Sequence, residues 1–380
     1  MHSASQTAVG RIKLWPYATH VAAGGIDHTQ FDLDRLTFDI FAASFRIDTP
    51  EKAQALLDSY QWAKTYLAPF VVKLVIDMAP ALLNAVARNP RAKIVFLGRD
   101  GFVFGYALSI LLPKFYAAHC TTMYLSRSLV NAALRELEEY EGKSFAGIRE
   151  FRKRAAAESD PRGAWRRLTA YFIDQGIDIG AEGSEIHVVD TGLKGSIQEM
   201  LAAAYPQTRF FGHYAFYAES PADPHPRSKK GYALHLDVEH GSDGNAIRDG
   251  LPTDPGQTFL HHQAIVAVEG AVQGSHLSPS SYGLNGKPLL TRQRHDASNL
   301  SGARLSLVDI QPADPQLREG IRSITVVGIC QHARTLLLHA SAAGPSWITG
   351  AQTSRWYVDL IHRTDELRNQ MWTHMNCCEA

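Results

Sequence analysis

The sequence predicts a three-layer α/β fold with a largely parallel sheet and helical N- and C-terminal extensions. Three observations carry this expectation. Short apolar runs at Ile94-Val95-Phe96-Leu97 and Ile186 to Val189 read as central parallel strands. Each leads into a glycine-bearing turn and then a helical pattern, the order in which parallel sheets are wound. Strand and helix signals alternate through the middle of the chain, with helical material towards both ends.

Residues 1–48 are mixed, with short apolar alternations around Phe31 to Ile47. Pro50-Glu51 opens a helix through Ala53, Leu56, Leu57, Tyr60 and Ala63, with Thr49 as its N-cap. Tyr66 to Val86 has helical spacing but is apolar on most sides, which predicts a buried helix, stopped by Asn89-Pro90. After the first strand a helix runs from Phe102 to Pro113, and Thr121 to Leu125 is the next strand, ending in Ser126-Arg127-Ser128. Residues 135–167 are dense in both charges and predict exposed helices and loops between core strands. A helix over Trp165 to Gln175, the strand ending at Val189 and an aromatic-rich strand over Phe210 to Tyr217 follow. Pro221 to Pro226 is a loop, and the Gly-, Asp- and Pro-rich stretch Asp237 to Gln257 reads as a lid. Helical patterns return over Leu317 to Ala343 and Trp347 to Met375. The chain thus divides into an N-terminal segment (1–60), an α/β core (61–300) holding a charged helical region (135–180), and a helical C-terminal region (301–380).

With 380 residues, 45% hydrophobic and 20% charged, the composition is that of a globular protein able to bury a large core. Lys+Arg and Asp+Glu balance at 38 each, which argues against a nucleic-acid binder. Cys120, Cys330, Cys377 and Cys378 form neither a disulfide framework nor a Cys-x-x-Cys zinc spacing. No signal peptide is visible at the N-terminus, and no uninterrupted apolar stretch approaches the roughly 20 residues that span a bilayer. A cytoplasmic setting without membrane partners is expected. The Trp- and Tyr-bearing C-terminal helix reads as core packing or a homodimer contact.

The chemistry concentrates at the strand ends. In Val189-Asp190-Thr191-Gly192-Leu193-Lys194-Gly195-Ser196 an acid closes an apolar run and a Gly/Thr/Ser turn opens a helix. Amides of Gly192 to Ser196, the hydroxyls of Thr191 and Ser196 and the charge of Lys194 form a cradle for an anion. A plain βα turn capped by Thr191 and Ser196 has the same pattern. Neither Gly-x-x-x-x-Gly-Lys-Ser/Thr nor Gly-x-Gly-x-x-Gly occurs here. The second turn is Gly98-Arg99-Asp100-Gly101, where Arg99 suits a phosphate and Asp100 orients Arg99, holds Mg²⁺ or takes a proton. If the strands are adjacent, Arg127 points into the same crevice. His235, Asp237 and Glu239, with His240, form either a divalent-metal cluster or a polar edge strand. His261-His262 and a lone loop histidine, His276, are further polar candidates.

The stretches IVFLGRDGFVFGYALSILLP, MYLSRSL and VVDTGLKGSIQEML, preceded by YLAPFVVKL, resemble a bacterial module. That module follows haloacid-dehalogenase-like phosphatase domains in multidomain proteins and is linked to glycan or surface-polymer genes. The likeness covers about residues 60–220. The same motif order is similar to the type I phosphoribosyltransferase fold. That resemblance implies Arg99 and Gly101 at a pyrophosphate, and Asp190, Thr191, Gly192, Gly195 and Ser196 around a 5-phosphate and its ribose. That family has two adjacent acids before the loop, whereas this chain has Val189-Asp190.

Together these imply an enzyme for a phosphorylated sugar or nucleotide, with Asp190 and Asp100 in its chemistry. Gly98, Arg99, Gly101, Arg127, Thr191, Gly192, Lys194, Gly195 and Ser196 would bind the phosphates, and Asp100 a Mg²⁺. A haloacid-dehalogenase-type phosphatase is the alternative, resting on Asp39 after Leu36-Thr37-Phe38, on Asp32-x-Asp34, or on Asp100. A module that binds sugar phosphate without turnover is the third.

Overall fold

The computed structural model describes residues 27–153, 161–236, 268–272, 276–283, 285–291 and 314–343. Strands β1 (Lys93–Gly98), β2 (Cys120–Tyr124), β3 (Glu185–Leu193), β4 (Arg209–Ala218) and β5 (Lys229–Leu236) form one sheet. Their order is β2-β1-β3-β4-β5, and every neighbouring pair is parallel. The order reverses between β1 and β3, so a crevice opens there at the carboxyl ends of the strands.

Alternation along the strands builds two apolar faces. Ile94 and Phe96 of β1, Val189 of β3 and Phe216 of β4 pack against α3 (Ala68–Arg88), α4 (Phe102–Leu111) and α10 (Pro315–Ala343). Val95, Leu97, Ile186 and Val188 pack the other way, against α6 (Arg127–Glu141), α8 (Ala164–Asp174) and α9 (Ser196–Ala204). A third cluster joins α1 (Arg35–Ser44) and α2 (Pro50–Trp62) to the start of α10 through Phe31, Leu56, Tyr60, Leu317 and Ile324. α5 (Pro113–His119) follows α4 directly, and α7 (Arg149–Arg152) packs with α9.

Local chemistry sets the boundaries. Thr49 caps α2 by accepting from Lys52 N, with Pro50 in the first turn as expected. The mixed stretch Phe31 to Ile47 holds α1, capped by Asp34. The helical run Pro50–Arg88 is long and apolar enough to cross a membrane by length and composition. Within the fold, 56% of its most apolar window is buried, as in a core helix.

The charged stretch between β2 and β3 is not merely a surface insertion. Leu129, Val130, Leu134, Leu137, Phe151, Leu168 and Phe172 on α6, α7 and α8 are buried, so these helices form the layer that covers one sheet face. Their charges tie them together: Arg152 binds the Glu138 carboxylate through two nitrogens, at 2.6 and 2.9 Å, and Glu136 accepts from Gly163 N and Trp165 N.

Across the opposite face runs a buried hydrogen-bond chain. The Glu185 carboxylate, paired to Arg209 at 2.6 Å, accepts from His187 Nε2 at 2.9 Å. His187 Nδ1 must then accept from His213 Nε2 (2.9 Å), and His213 Nδ1 from the Tyr232 hydroxyl (2.8 Å). Each ring thereby has one tautomer, and β3, β4 and β5 are locked in register.

Candidate functional site

β1 ends at Gly98, and the turn to α4 is Arg99-Asp100-Gly101. Gly101 brings this turn against β3: a Cβ there would lie 2.6 Å from Val189 O and 2.7 Å from Leu97 O. Asp100 therefore stands beside the end of β3. The Thr191 hydroxyl donates to its carboxyl, while Asp100 Oδ1 is buried without a hydrogen-bond partner among the described residues. Burial raises the Asp100 carboxyl to about 6, against the lowering influence of Arg99 and the Thr191 bond. Asp190 is raised well above the carboxylate range by burial and then by the Asp100 charge, while Thr191 N–H and Arg127 pull it down. Burial lowers the Arg99 guanidinium, which Asp100, Glu269 and Asp190 oppose. The charges of Arg99, Asp100, Asp190 and Arg127 thus act on one another at this crevice.

It also holds Glu269, which the sequence reasoning missed. Val268, Ala271 and Val272, on one face of the helical turn 268–272, are buried in the core beside α3 and α4. Glu269 lies off that face, partly accessible, and the charges of Asp100, Arg127 and Arg99 act on it. Burial, then Asp100, pushes its carboxyl up to about 7. The signal was a single acid inside the apolar run Ala264 to Val272, since an unpaired acid is seldom left in a core.

The predicted cradle is smaller than expected. β3 does not stop at Asp190: Gly192 and Leu193 continue the ladder opposite Phe216 and Tyr217 of β4. Gly192 (φ 115°) is required there, because a Cβ would overlap Phe216 O. Thr191 N donates to Asp190 Oδ1 at 2.9 Å, and the Thr191 side chain is buried. The corner is Lys194-Gly195, and Ser196 opens α9, whose first-turn amides point out of the helix. Lys194 Nζ turns to Glu150 (2.9 Å), which also accepts from Ser220, so its charge is engaged away from the crevice. Beneath Gly195 lie Tyr214 and the fully buried Lys229, which bonds Glu199 and Asp223 (2.7 Å).

Residues 276–283 and 285–291 lie on the β2 side. Arg99 Nη1 donates to His276 O at 3.0 Å, and Ser126, the N-cap of α6, donates to Pro279 O. Arg127 is exposed in the first turn of α6. Beside β2 a cleft of about 350 Å³ opens between Tyr124, Tyr171, Gln175, Asn285, Lys287 and Leu289. His276 serves here through its carbonyl, with its ring edge-on to Tyr124.

Comparison with protein-family models, with curated proteins and with solved structures finds no match. The reading of the site therefore rests on its own geometry.

Several candidates lie apart from the crevice. Asp39 is within α1 and paired to Arg35 at 3.0 Å, so it is not a strand-end nucleophile. Asp34 caps α1, and Asp32 ends the preceding turn and pairs with Lys64. His235 Nδ1 accepts from Gly231 N at 3.0 Å. Asp237, Glu239, His240, His261, His262, the lid stretch Asp237 to Gln257 and the Trp347 to Met375 helix lie outside the described residues. Among the described residues, no group of three or more His, Cys, Asp or Glu side chains is arranged to hold a metal ion. Mg²⁺ needs less, because it keeps several waters and takes one or two carboxylates with substrate oxygens. Asp100 and Asp190, hard oxygen donors with a bare Oδ1, fit that requirement.

Proposed function

We propose that the chain is an enzyme acting on a phosphorylated sugar or nucleotide in the β1/β3 crevice, with Asp100 and Asp190 at its reacting centre. The observation that carries this reading is the buried Asp100 Oδ1, without a hydrogen-bond partner among the described residues, beside Asp190 at the point where strand order reverses. Two carboxyl groups held close in a poorly solvated crevice are costly unless a ligand or cation meets them. Arg99 and Arg127, with the first-turn amides of α9, supply the positive side for phosphate oxygens.

The reaction this arrangement suits best is displacement at a sugar carbon, in which a nucleophilic acceptor forms the new bond to that carbon as pyrophosphate departs, as the phosphoribosyltransferase-like motif order implies. Arg99 and Arg127 take up charge on the departing oxygens. Asp190 faces the sugar, and Ser196 with the α9 amides holds the terminal phosphate. Thr191 fixes the Asp100 carboxyl through its hydroxyl. Mg²⁺ held by Asp100 and Asp190 would neutralise the pyrophosphate as it leaves. The second reading is phosphate-ester hydrolysis with Asp100 as nucleophile, favoured by the same bare Oδ1.

A thermal-shift screen of phosphoribosyl pyrophosphate, ribose 5-phosphate and nucleotides, with and without Mg²⁺, tests the proposal. A ligand at about 100 times its dissociation constant adds roughly 2.7 kcal/mol. Pyrophosphate release that is lost in Asp190→Asn supports transfer, and release of inorganic phosphate lost in Asp100→Asn supports hydrolysis. Binding without turnover makes this a recognition module, and stabilisation by none of the ligands overturns the proposal.

A further inference from the structure

Beside β2, the edge strand, the cleft of about 350 Å³ falls in the size range of small-molecule pockets. It is preformed. Residues 276–283 and 285–291 make an antiparallel arm, joined by Leu277 N to Thr291 O, Leu289 N to Ser281 O and Gly283 N to Lys287 O, each 2.8 Å. Arg99, through His276 O, and Ser126, through Pro279 O, pin that arm beside the strand. Tyr124 forms another wall, its ring edge-on to Phe102 with centroids 4.8 Å apart.

The polar lining has a single sense. The Tyr171 hydroxyl accepts from Tyr124 N at 3.1 Å, which leaves its own hydrogen to donate. Gln175 Oε1 accepts from the Thr121 hydroxyl at 3.3 Å, and Asn285 Oδ1 accepts from Lys287 N at 3.1 Å. With those oxygens engaged, both side chains keep amide N–H groups to give. Lys287 is exposed and carries an ammonium group, which can only donate. All four residues line the cleft together with the Tyr124 ring and the exposed Leu289. Donors beside uncovered apolar surface call for an anionic group on an apolar body. The lining holds one cation, which matches the single charge of a carboxylate.

An edge strand also invites an extended peptide. Here the Tyr171 hydroxyl already meets the Tyr124 amide, so an added strand would have to displace it. A small molecule leaves that bond in place. We propose that this cleft is a second ligand site, separate from the β1/β3 crevice, which binds a small apolar carboxylate. Its lining includes no residue of the Gly98–Gly101 turn or of Asp190 to Ser196.

The test titrates benzoate, phenylacetate, 2-naphthylacetate and octanoate into the full chain by calorimetry, with phenylacetamide and 2-naphthylacetamide as uncharged controls. An aryl acid should bind about 10-fold or more tighter than its amide, because charge-assisted hydrogen bonds are the stronger. Lys287→Gln should weaken the acid by about 3-fold or more and leave the amide unchanged, whereas Leu289→Ser should weaken both. Both positions are exposed, and Gln175→Met, which removes only the amide group, serves if either variant fails to melt cooperatively. Asp100→Asn, in the crevice, should bind the acid as the wild type does. No binding of any of the four acids, equal binding of acid and amide, or undiminished acid binding in the cleft variants overturns the inference. Loss of acid binding in Asp100→Asn would place the ligand in the crevice and overturn it as well.

Discussion

The Thr191 hydroxyl donates to the Asp100 carboxyl, joining the end of β3 to the turn that follows β1. Thr191 is buried, and its N–H is taken by Asp190, so one residue holds both Asp100 and Asp190. That bond favours the ionised form of Asp100 against the burial that raises it to about 6.

Thr191→Val keeps the shape of the side chain and removes the hydroxyl. The Asp100 carboxyl should then rise further, by up to about one unit if a bond of about 1 kcal/mol is lost. The acidic limb of the turnover–pH profile should move to higher pH by that amount, with the fold unchanged by circular dichroism. An unmoved limb would remove Asp100 as the group that titrates in turnover.

Glu269 makes the folded chain less stable as pH rises. Its carboxyl is raised from 4.5 to about 7 by burial and Asp100, offset in part by Arg127 and Arg99. Between those values the folded state holds a proton that the unfolded state has released, so stability falls as pH climbs through the window. Glu269→Gln removes this dependence. Above about pH 7 the variant should be the more stable, by up to about 3 kcal/mol, and below about pH 4.5 the two should converge. Thermal melts at the two extremes check it, and a variant that gains nothing at alkaline pH would mean that Glu269 ionises without cost.

Lys194 and Arg99 both read as phosphate-binding residues in the sequence, and they stand in different surroundings in the fold. Lys194 is spent on Glu150, whereas Arg99 stands beside Asp100, Asp190 and Glu269. Lys194→Ala should change phosphate affinity by no more than about 3-fold, as expected for a partly exposed pair. Arg99→Ala should weaken it by about 10-fold or more, since a charge-assisted bond is worth roughly 1.5–3 kcal/mol. Isothermal titration with the ligand found in the screen measures both, and equal losses would return Lys194 to the cradle.

β1 to β4, their parallel sense and the acids at their ends were legible because apolar runs, turn glycines and helix caps are local signals, whereas β5 was not read as a strand. Thr49 capping α2 and the adjacent ends of β1, β2 and β3 follow from them. What was hidden depends on distant pairing. β3 extends through Gly192 and Leu193 because β4 offers ladder partners there, although a Thr-Gly pair by itself reads as a turn. The engagement of Lys194 depends on Glu150, which lies 44 residues away. Glu269 was overlooked because the single acid in its apolar run signals a need for a partner but does not point to the turn after β1. The charge-dense stretch looked exposed because its acids and bases mask the apolar stripe that α6 and α8 bury.

The chain from Glu185 to Tyr232 gives the fold its own acid sensitivity, independent of the crevice. Burial, then repulsion from His187 and Lys230, lowers His213 from 6.5 to about 3, and burial also lowers His187. A histidine whose folded pKa is depressed resists protonation, so stability is lost as pH falls from about 6.5 towards about 3. His213→Phe keeps a ring in the stack but leaves His187 Nδ1 and the Tyr232 hydroxyl without their partner. At neutral pH it should cost roughly 1–3 kcal/mol. Its stability should then fall less steeply in acid than that of the wild type, because one proton-binding step of unfolding is gone while the His187 contribution remains. Urea midpoints measured from about pH 7 down to about pH 4 separate the two effects, and an acid slope identical to wild type would show that His213 carries none of the pH dependence.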